Sequence, residues 1–204
     1  MKKDWQARLS EISATDRELW AAGRVFAGID EAGRGPLCGP VAAACVVMPP
    51  EPLLLYVDDS KKLTEKRRES LYDEILKTAV YARVSLASAE EIDRLNILQA
   101  TKKAMAEAAK DAPCALFLVD AVDALDVPGE VRGIVHGDAL CYSIAAASIL
   151  AKVTRDRLLR EMDARYPEYG FARNKGYGTA EHIAALKKYG PCPEHRRSFI
   201  GHFV

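Results

Sequence analysis

The stretch FAGIDEAGRGPLCGPVAAACVV, residues 26–47, holds two apolar segments separated by a glycine-rich turn. Because each segment is apolar almost throughout, it predicts a strand in the centre of a sheet that helices cover on both faces. Two adjacent carboxylates, Asp30 and Glu31, end the first segment. Neighbouring residues on a regular strand face opposite sides of the sheet, so these acids can share a site only where the strand ends or bulges.

The remaining chain alternates between strand and helix patterns. Further strands are predicted at YARVSLAS (81–88), CALFLVDAV (114–122) and VRGIVHGD (131–138). Helices are predicted over 5–20, after the DDSKKL loop (58–63), after Ser88, from Tyr142, and over 180–189. The helix after Ser88 is expected to be continuous and to bury a face formed by Ile92, Leu95, Leu98, Met105 and Ala108. This order predicts an α/β fold in which a mixed sheet carries helices on its faces.

Composition and cysteine usage limit the class of protein. The chain has 204 residues, of which 49% are hydrophobic and 28% charged, as is typical of one globular domain. No run approaches the ~18 apolar residues of a transmembrane helix, and the N-terminal residues lack the apolar core of a signal peptide. The five cysteines are scattered without a C-x-x-C pair, which favours reduced thiols in a cytoplasmic protein. No feature requires an oligomer, so a monomer is expected.

Charge is balanced over the whole chain but not along it. With 29 basic and 29 acidic residues, the overall field gives no preference for nucleic acid. Residues 51–151 hold twelve basic and seventeen acidic side chains, whereas residues 152–204 hold eleven basic and six acidic. This distribution suits a phosphate-contacting surface beside a metal-binding one, and equally an ordinary solvated surface.

Three predicted strands run into acidic residues: Asp30, Asp120 and Asp138. A single acid at a strand end is most often a turn or cap residue, and Asp138 can simply cap the following helix. If the strands lie side by side, these acids and Glu31 converge on one small volume, where two charges repel by ~4 kcal/mol at an effective dielectric near 20. Cations or protons must then balance the charge. Oxygen ligands without a Cys or His pair indicate Mg²⁺ or Mn²⁺ rather than zinc.

The turn between the first two strands, GRGPLCG (33–39), has an arginine between two glycines. It lacks both the Walker spacing and the G-x-G-x-x-G pattern, so a nucleotide-binding module is not indicated. Gly33 and Gly35 would let backbone amides approach a sugar or phosphate, and Arg34 would supply positive charge. A tight turn without a ligand explains the same residues.

Other candidate substrate contacts lie further along the chain. Lys61 in DDSKKL could reach a phosphate or be solvated, and Lys152 could reach a phosphate or only pair with Asp156 one helical turn away. Tyr177 lies between two glycines in NKGYGT, which suits stacking on a base or sugar, or a core position. No metal spacing and no pair for acid-base chemistry is evident among His136, His182, His195 and His202.

Six segments together resemble the type II ribonuclease H family, ribonuclease HII. In the family's order, from about residue 24 to 199, they are GIDEAGRGPLCGPVAAA, DDSKKLT, LVDA, GDALCYSIAAASILAKVTRD, NKGYGT and HRRSF. The resemblance implies a ribonuclease H-like fold, with a mixed five-stranded sheet flanked by helices and a helical C-terminal extension. Within one compact unit, we expect an N-terminal helical extension (1–22), a catalytic core (23–165) and a C-terminal substrate-binding portion (166–204).

The same resemblance implies a metal-dependent endonuclease that cuts RNA in RNA/DNA hybrids and at single ribonucleotides within duplex DNA. Its products would carry 5′-phosphate and 3′-hydroxyl ends. The family's metal-binding acids, which would hold two Mn²⁺ or Mg²⁺ ions, correspond to Asp30, Glu31, Asp120 and Asp138. The loop that senses the ribose 2′-hydroxyl corresponds to Gly33, Arg34 and Gly35, and the tyrosine that stacks at the RNA-to-DNA junction to Tyr177. Further substrate contacts are expected at Lys61 and Lys152.

The chain departs from the family pattern in three places. His136 stands where many relatives have a lysine, which puts one phosphate contact in doubt, and Cys38 replaces a commonly smaller residue. The N-terminal helix lies outside the resemblance and has no assigned role. Three alternatives stay open: another two-metal nuclease such as a junction resolvase, a metal-free ribonuclease using His136 or His195, and a non-catalytic module that binds hybrids.

Overall fold

One mixed sheet forms the centre of the fold. The computed structural model describes residues 4–122 and 124–204, so the first three residues of the expected N-terminal extension lie outside it. Over the described residues the strands are β1 (Phe26–Ala32), β2 (Val41–Val47), β3 (Tyr81–Ala87), β4 (Leu116–Asp120) and β5 (Glu130–Ile134). Their order is β3-β2-β1-β4-β5, with β1, β4 and β5 parallel and the β1-β2 and β2-β3 pairs antiparallel. The predicted mixed five-stranded sheet is confirmed.

Helices cover both faces of this sheet. Within the described ranges they are α1 (Trp5–Ile12), α2 (Ala14–Ala21), α3 (Glu65–Thr78), α4 (Ala89–Leu95), α5 (Ile97–Ala109), α6 (Gly137–Leu140), α7 (Tyr142–Arg165), α8 (Phe171–Asn174), α9 (Ala180–Tyr189) and α10 (Arg197–Ile200). Short 3₁₀ turns lie at Ser60–Lys62 and Pro167–Tyr169. None of these helices is both long and apolar enough to cross a membrane.

The central strands are buried on both faces because helices of opposite layers pack against them. Ile29 and Val119 belong to a core cluster with Met105 of α5, whereas Ala44 of β2 packs with Ala146 of α7. The near-continuous apolar runs of β1 and β2 therefore reflect two covered faces, as expected for central strands.

The long helix α7 approaches β1 so closely that only glycine fits at position 28. A Cβ at Gly28 would lie 2.2 Å from the carbonyl carbon of Ser143 and 2.4 Å from the nitrogen of Ile144. The small Ala and Ser side chains in the first half of α7 allow this approach. The contact fixes the start of α7 against the strand that carries Asp30.

Two predicted helices are each split in the structure. The prediction of one continuous helix after Ser88 is wrong, because Asn96 adopts φ +67° and separates α4 from α5. The Asn96 side chain caps α5 by accepting a hydrogen bond from the backbone N–H of Gln99. As a result Leu98, expected on the buried face, is 41% exposed. The helix predicted over 5–20 is likewise divided into α1 and α2 at Ser13, whose hydroxyl donates to the carbonyl of Leu9 at 2.6 Å.

The C-terminal helices pack against the second half of α7. Leu159 and Met162 of α7 form a core cluster with Tyr169, Phe171 and Ala185. The helix predicted over 180–189 is confirmed as α9, which ends at Gly190 with φ +73°. This packing brings the glycine-rich segment around residue 177 beside the turn that follows β1.

Candidate active site

Three carboxylates meet at the edge of the sheet where β1 and β4 end. Each of Asp30, Asp120 and Asp138 offers an oxygen, and these oxygens all lie within 4.8 Å of one another. Parallel pairing of Ile29 with Val119 brings Asp30 and Asp120 side by side on neighbouring strands. The sheet order therefore joins acids that are far apart in the chain.

Asp138 reaches this group from a helix, not from the strand end predicted for it. β5 ends at Ile134, and His136 then adopts φ +58° and starts the single-turn helix α6. This turn directs the backbone N–H of Gly137 to Asp120 Oδ1 at 2.8 Å. The prediction failed because the pattern VRGIVHGD does not reveal that the chain turns before the acid.

Burial and mutual repulsion dominate the electrostatics of the acids. Burial raises the pKa of Asp30 well above its ordinary value, and the charges of Glu31 and Asp120 raise it further. Burial also raises the pKa of Asp120, an effect that the N–H of Gly137 opposes. Such a group needs protons or cations to balance its charge. Its all-oxygen, anionic donor set fits a hard divalent ion such as Mg²⁺ or Mn²⁺.

Glu31 lies next to this group but outside the set of oxygens within 4.8 Å. Both acids fall within β1, where Asp30 pairs with Ala44 and Glu31 with Ala43, so they face opposite sides of the sheet. The Glu31 carboxylate lies 3.5 Å from the guanidinium of Arg34. Burial raises the pKa of Glu31, and the charge of Arg34 lowers it. The structure thus brings together three of the four predicted acids and leaves the fourth beside them.

Two buried arginines hold the turn that carries Gly33, Arg34 and Gly35. Arg155 of α7 donates to the carbonyls of Cys38, Pro40 and Lys175 at 2.9–3.0 Å. Gly33 has φ +99°, and a Cβ there would lie 2.0 Å from Arg155 Nε. Glycine at position 33 is therefore required both by its backbone conformation and by the arginine packed against it.

Arg196, which precedes α10, holds the same turn from the other side. Its guanidinium donates five hydrogen bonds of 2.6–3.0 Å to loop carbonyls, namely those of Gly33, Arg34, Pro36 and Gly39. Neither Arg155 nor Arg196 forms an ion pair with a carboxylate among the described residues. Sequence reasoning missed these roles, because nothing local separates a loop-binding arginine from the other basic residues of the chain.

Tyr177 lies beside this turn and is 49% exposed, which excludes the core position left open by the sequence. Its Cε1 lies 3.7 Å from the point that a Cβ at Gly35 would occupy. The backbone N–H of Leu37 donates to the carbonyl of Gly176 at 2.8 Å and ties the two loops together. The ring is therefore held at the rim of the turn.

The two predicted lysines occupy different settings. Lys61 Nζ lies 3.3 Å from Asp138 Oδ2, and its side chain is 77% exposed. Lys152 instead pairs with the buried Asp156 at 2.7 Å, and burial lowers the pKa of Lys152. Lys61 therefore contacts the acid group directly, whereas the pairing suggested for Lys152 is present.

Two histidines form a pair that sequence reasoning missed. His182 Nδ1 lies 2.9 Å from the carbonyl of Tyr177, and the Nε2 atoms of His182 and His195 lie 3.0 Å apart. His195 Nδ1 accepts from the backbone N–H of Cys192 at 3.1 Å. One arrangement satisfies all three contacts: both rings are neutral, His182 Nδ1 donates to the carbonyl of Tyr177, and His195 Nε2 donates to His182 Nε2. Their separation of 13 residues gave no sequence signal.

Known proteins match this chain over nearly its whole length. The family model described as ribonuclease HII matches residues 27–202. Ribonuclease HII of Acetivibrio thermocellus is 52% identical over 201 residues, which cover 97% of this chain and 78% of that protein. Ribonuclease HII of Xanthobacter autotrophicus is 57% identical over 187 residues, which cover 90% of this chain and 75% of that protein.

Solved structures agree with the sequence relatives. Ribonuclease H2 from Pyrococcus horikoshii OT3 superposes with a TM-score of 0.72 at 28% identity, covering 85% of this chain and 92% of that one. The RNase HII from Archaeoglobus fulgidus, solved as a PCNA:RNase HII complex, gives a TM-score of 0.73 at 28% identity, with coverages of 85% and 94%. The chain therefore belongs to the ribonuclease HII family and is a metal-dependent ribonuclease H, a hydrolase that acts on RNA/DNA hybrids.

Proposed function

We propose that the chain is an endonuclease that cuts the RNA strand of hybrids and also cuts duplex DNA at single embedded ribonucleotides. The observation that carries the proposal is the group of three carboxylates with oxygens within 4.8 Å, next to a glycine turn that exposes Arg34. Acids alone would repel a phosphate backbone. The neighbouring Arg34 and Lys61 supply the positive charge that lets a phosphate approach.

In this proposal Asp30, Asp120 and Asp138 hold two divalent ions, Mg²⁺ or Mn²⁺, and Glu31 joins them when its contact with Arg34 opens. Bound there, the ions supply activation of a water molecule and stabilisation of the leaving oxygen, which gives 5′-phosphate and 3′-hydroxyl ends. The N–H of Gly137 holds the Asp120 carboxylate in place at 2.8 Å, and the exposed Lys61 ammonium lies 3.3 Å from Asp138. Rigid acids are what a metal-dependent hydrolase requires.

Selectivity for ribose is assigned to the turn at Gly33, Arg34 and Gly35. The 2′-hydroxyl distinguishes RNA from DNA at a given position, and backbone groups of a glycine turn can approach it without reading base sequence. Hydrogen bonds to Arg196 restrict the carbonyls of this turn, which favours a fixed shape over one that adapts to deoxyribose. Tyr177 is exposed beside the turn, where we propose that it stacks on the nucleotide at the RNA-to-DNA junction.

The remaining assignments concern partners and the parts of the chain. Lys61 and Lys152 are proposed phosphate contacts, and the substrate duplex is the proposed partner of a monomer in the cytoplasm. The free thiols of the described cysteines fit a reducing compartment. The division into residues 1–22, 23–165 and 166–204 stays a prediction.

One digestion experiment tests this proposal. A duplex with a single ribonucleotide and a full RNA/DNA hybrid are incubated with the protein in Mg²⁺, Mn²⁺ or chelator, and the product ends are identified. We expect metal-dependent cuts that leave 5′-phosphate and 3′-hydroxyl ends, and no cut in an all-DNA duplex. Asp30→Asn should bind the hybrid without cutting it, which would exclude a binding module whose acids are only caps.

Each alternative has its own outcome in the same experiment. Cleavage of the all-DNA duplex or of a branched DNA would favour a resolvase. Full activity in chelator with cyclic phosphate ends would favour a metal-free ribonuclease, although His195 is buried and already engaged by His182 and Cys192. Binding without cleavage in either metal would favour the non-catalytic module.

A further inference from the structure

The N-terminal helical segment, residues 4–22, contacts the elements that carry Asp138. It precedes the region matched by the family model, which starts at residue 27, although relatives aligned over 97% of the chain include part of it. Ile12 is fully buried in the core cluster of α7, and the ring of Trp20 lies 5.5 Å from that of Phe26 at the start of β1. The segment is therefore anchored to the core.

Asp16 caps α7 from a distance of 125 residues or more in the chain. Its carboxylate accepts from the backbone N–H groups of Tyr142 at 2.9 Å and Ser143 at 3.0 Å, and from the Ser143 hydroxyl. Cys141, the residue that would normally cap the helix, makes no side-chain capping bond. Because the first N–H groups of a helix lack internal partners and its N-terminus is positive, a buried carboxylate there fixes the position of the helix start.

Arg8 forms hydrogen bonds to both segments that contact the Asp138 carboxylate or carry it, namely the loop that starts at Asp58 and helix α6. Its Nη2 donates to the carbonyl of Ala139 at 2.6 Å and to Asp58 Oδ1 at 2.7 Å, and Nε donates to the same Asp58 oxygen at 3.1 Å. Ala139 is the neighbour of Asp138 in α6. Asp58 opens the loop that carries Lys61, whose ammonium group contacts Asp138. One guanidinium therefore links the backbone beside Asp138 to the loop that delivers its lysine.

We propose that Arg8 and Asp16 are positioning residues that keep Asp138 within ligating distance of Asp30 and Asp120. The inference rests on the proposed function, in which these acids hold divalent ions. α6 has only four residues, too few to maintain a helix by itself, and the other two acids repel Asp138. Lys61 is too exposed to hold Asp138 alone, since surface ion pairs contribute little. The buried contacts of Asp16 and the partly buried contacts of Arg8 supply the missing restraint.

The test measures Mn²⁺ binding by the full chain without substrate, by calorimetry or by the electron paramagnetic resonance signal of free Mn²⁺. Loss of groups that orient metal ligands typically weakens metal affinity by about 10- to 100-fold. We therefore expect Arg8→Gln and Asp16→Asn each to raise the Mn²⁺ dissociation constant by about tenfold or more, with Arg8→Lys intermediate. At saturating Mn²⁺, KM of Asp16→Asn for a hybrid should stay within about twofold, because Asp16 bonds the start of α7 and none of the proposed substrate contacts.

Glu11→Gln is the matched control. Glu11 pairs with the same guanidinium at 2.8 Å, but through Nη1, whereas α6 and Asp58 are bonded by Nη2 and Nε, and its side chain is 70% exposed. Its removal should leave Mn²⁺ affinity unchanged. Circular dichroism confirms folding of each variant, and Asp16→Asn, which keeps the shape of the side chain, decides the question if Arg8→Gln does not fold.

The outcomes separate this inference from the proposed function. Unchanged Mn²⁺ affinity in folded Arg8→Gln and Asp16→Asn, or an equal loss in Glu11→Gln, would overturn the inference even if the unmodified protein cuts ribonucleotide-containing duplexes. Weakened Mn²⁺ binding in both variants would support it even if the protein fails to cut them. An unmodified protein that binds no Mn²⁺ would overturn both.

Discussion

Replacing Gly33 with alanine should destabilise the fold far more than the same replacement at Gly35, two residues along the same turn. At Gly33 the added Cβ would lie 2.0 Å from Nε and 2.4 Å from Cδ of Arg155, and the backbone has φ +99°. At Gly35 the Cβ would meet only Tyr177 Cε1, at an ordinary contact distance of 3.7 Å. One glycine is required by the structure, and the other faces the proposed substrate.

The loss of stability expected for Gly33→Ala is the sum of a backbone cost and the cost of displacing Arg155. A non-glycine residue in the positive-φ region costs about 1 to 3 kcal/mol. Displacing the guanidinium also leaves the buried carbonyl of Cys38 without its donor, which costs about 1 to 3 kcal/mol more. The sum, about 2 to 6 kcal/mol, is a large fraction of the roughly 5 to 15 kcal/mol that stabilises a typical domain. Gly35→Ala should change stability by less than about 1 kcal/mol.

Urea unfolding followed by circular dichroism measures the difference. With a slope of about 2 kcal/mol per M, Gly33→Ala should lower the unfolding midpoint by roughly 1 to 3 M, while Gly35→Ala stays near the unmodified protein. Cleavage of the single-ribonucleotide duplex should fall in both variants, but only Gly35→Ala should lose activity while remaining fully stable. Equal unfolding midpoints for the two variants would refute the assignment of Gly33 to Arg155 packing.

Three further changes test other parts of the structure. Asp30→Asn should raise the melting temperature in chelator at pH 8, because it removes a buried charge that lies close to other acids. The same change should abolish the rise in melting temperature that Mn²⁺ causes in the unmodified protein, and a retained rise would contradict the prediction. Gly28→Ala should leave little folded protein, because its Cβ would lie 2.2 Å from the backbone of Ser143, and a urea midpoint within about 0.5 M of the unmodified protein would disprove it. Burial and the neighbouring His182 lower the pKa of His195 to about 4, from 6.5, so the unfolded chain binds more protons between these values. The stabilising contribution of neutral His195 should therefore be complete above pH 6.5 and be lost on acidification, by up to about 3 kcal/mol. His195→Gln should remove this part of the pH dependence, so parallel pH profiles of urea midpoints for the two proteins would count against it.

Local patterns predicted the elements whose signals are local. β1, β2 and α9 follow directly from apolar runs, glycine turns and capping residues, and the sheet edge at Asp30 and Asp120 follows from strands that end in acids. The break at Asn96 was missed because Asn96 both ends α4 and caps the start of α5. In the sequence such a residue cannot be distinguished from an ordinary polar residue on the surface of one continuous helix.

Contacts between distant segments could not be read from the sequence. Arg196 binds carbonyls about 160 residues earlier, and its burial depends on acceptors that exist only once the turn has formed. The same holds for Asp16, which looks like a helix-surface acid in the sequence and is fully buried at the start of α7. Buried polar residues satisfied by backbone groups carry no periodic signal, so the scaffold of a site is harder to predict than its acids.

The adjacent acids in GIDEAG show why both the local sequence pattern and the contacts between distant segments are needed to describe the site. The alternation along β1 directs Asp30 to the face of α7, where two further acids surround it, and turns Glu31 toward Arg34. Removing the Arg34 charge should therefore raise the pKa of Glu31 further while the group of three carboxylates keeps its geometry. If Glu31 joins bound ions only after leaving Arg34, then Arg34→Gln should weaken substrate binding and tighten Mn²⁺ binding by the free protein, because Glu31 no longer has a competing cation. Weaker Mn²⁺ binding in Arg34→Gln would mean instead that the turn and the acids form a single unit.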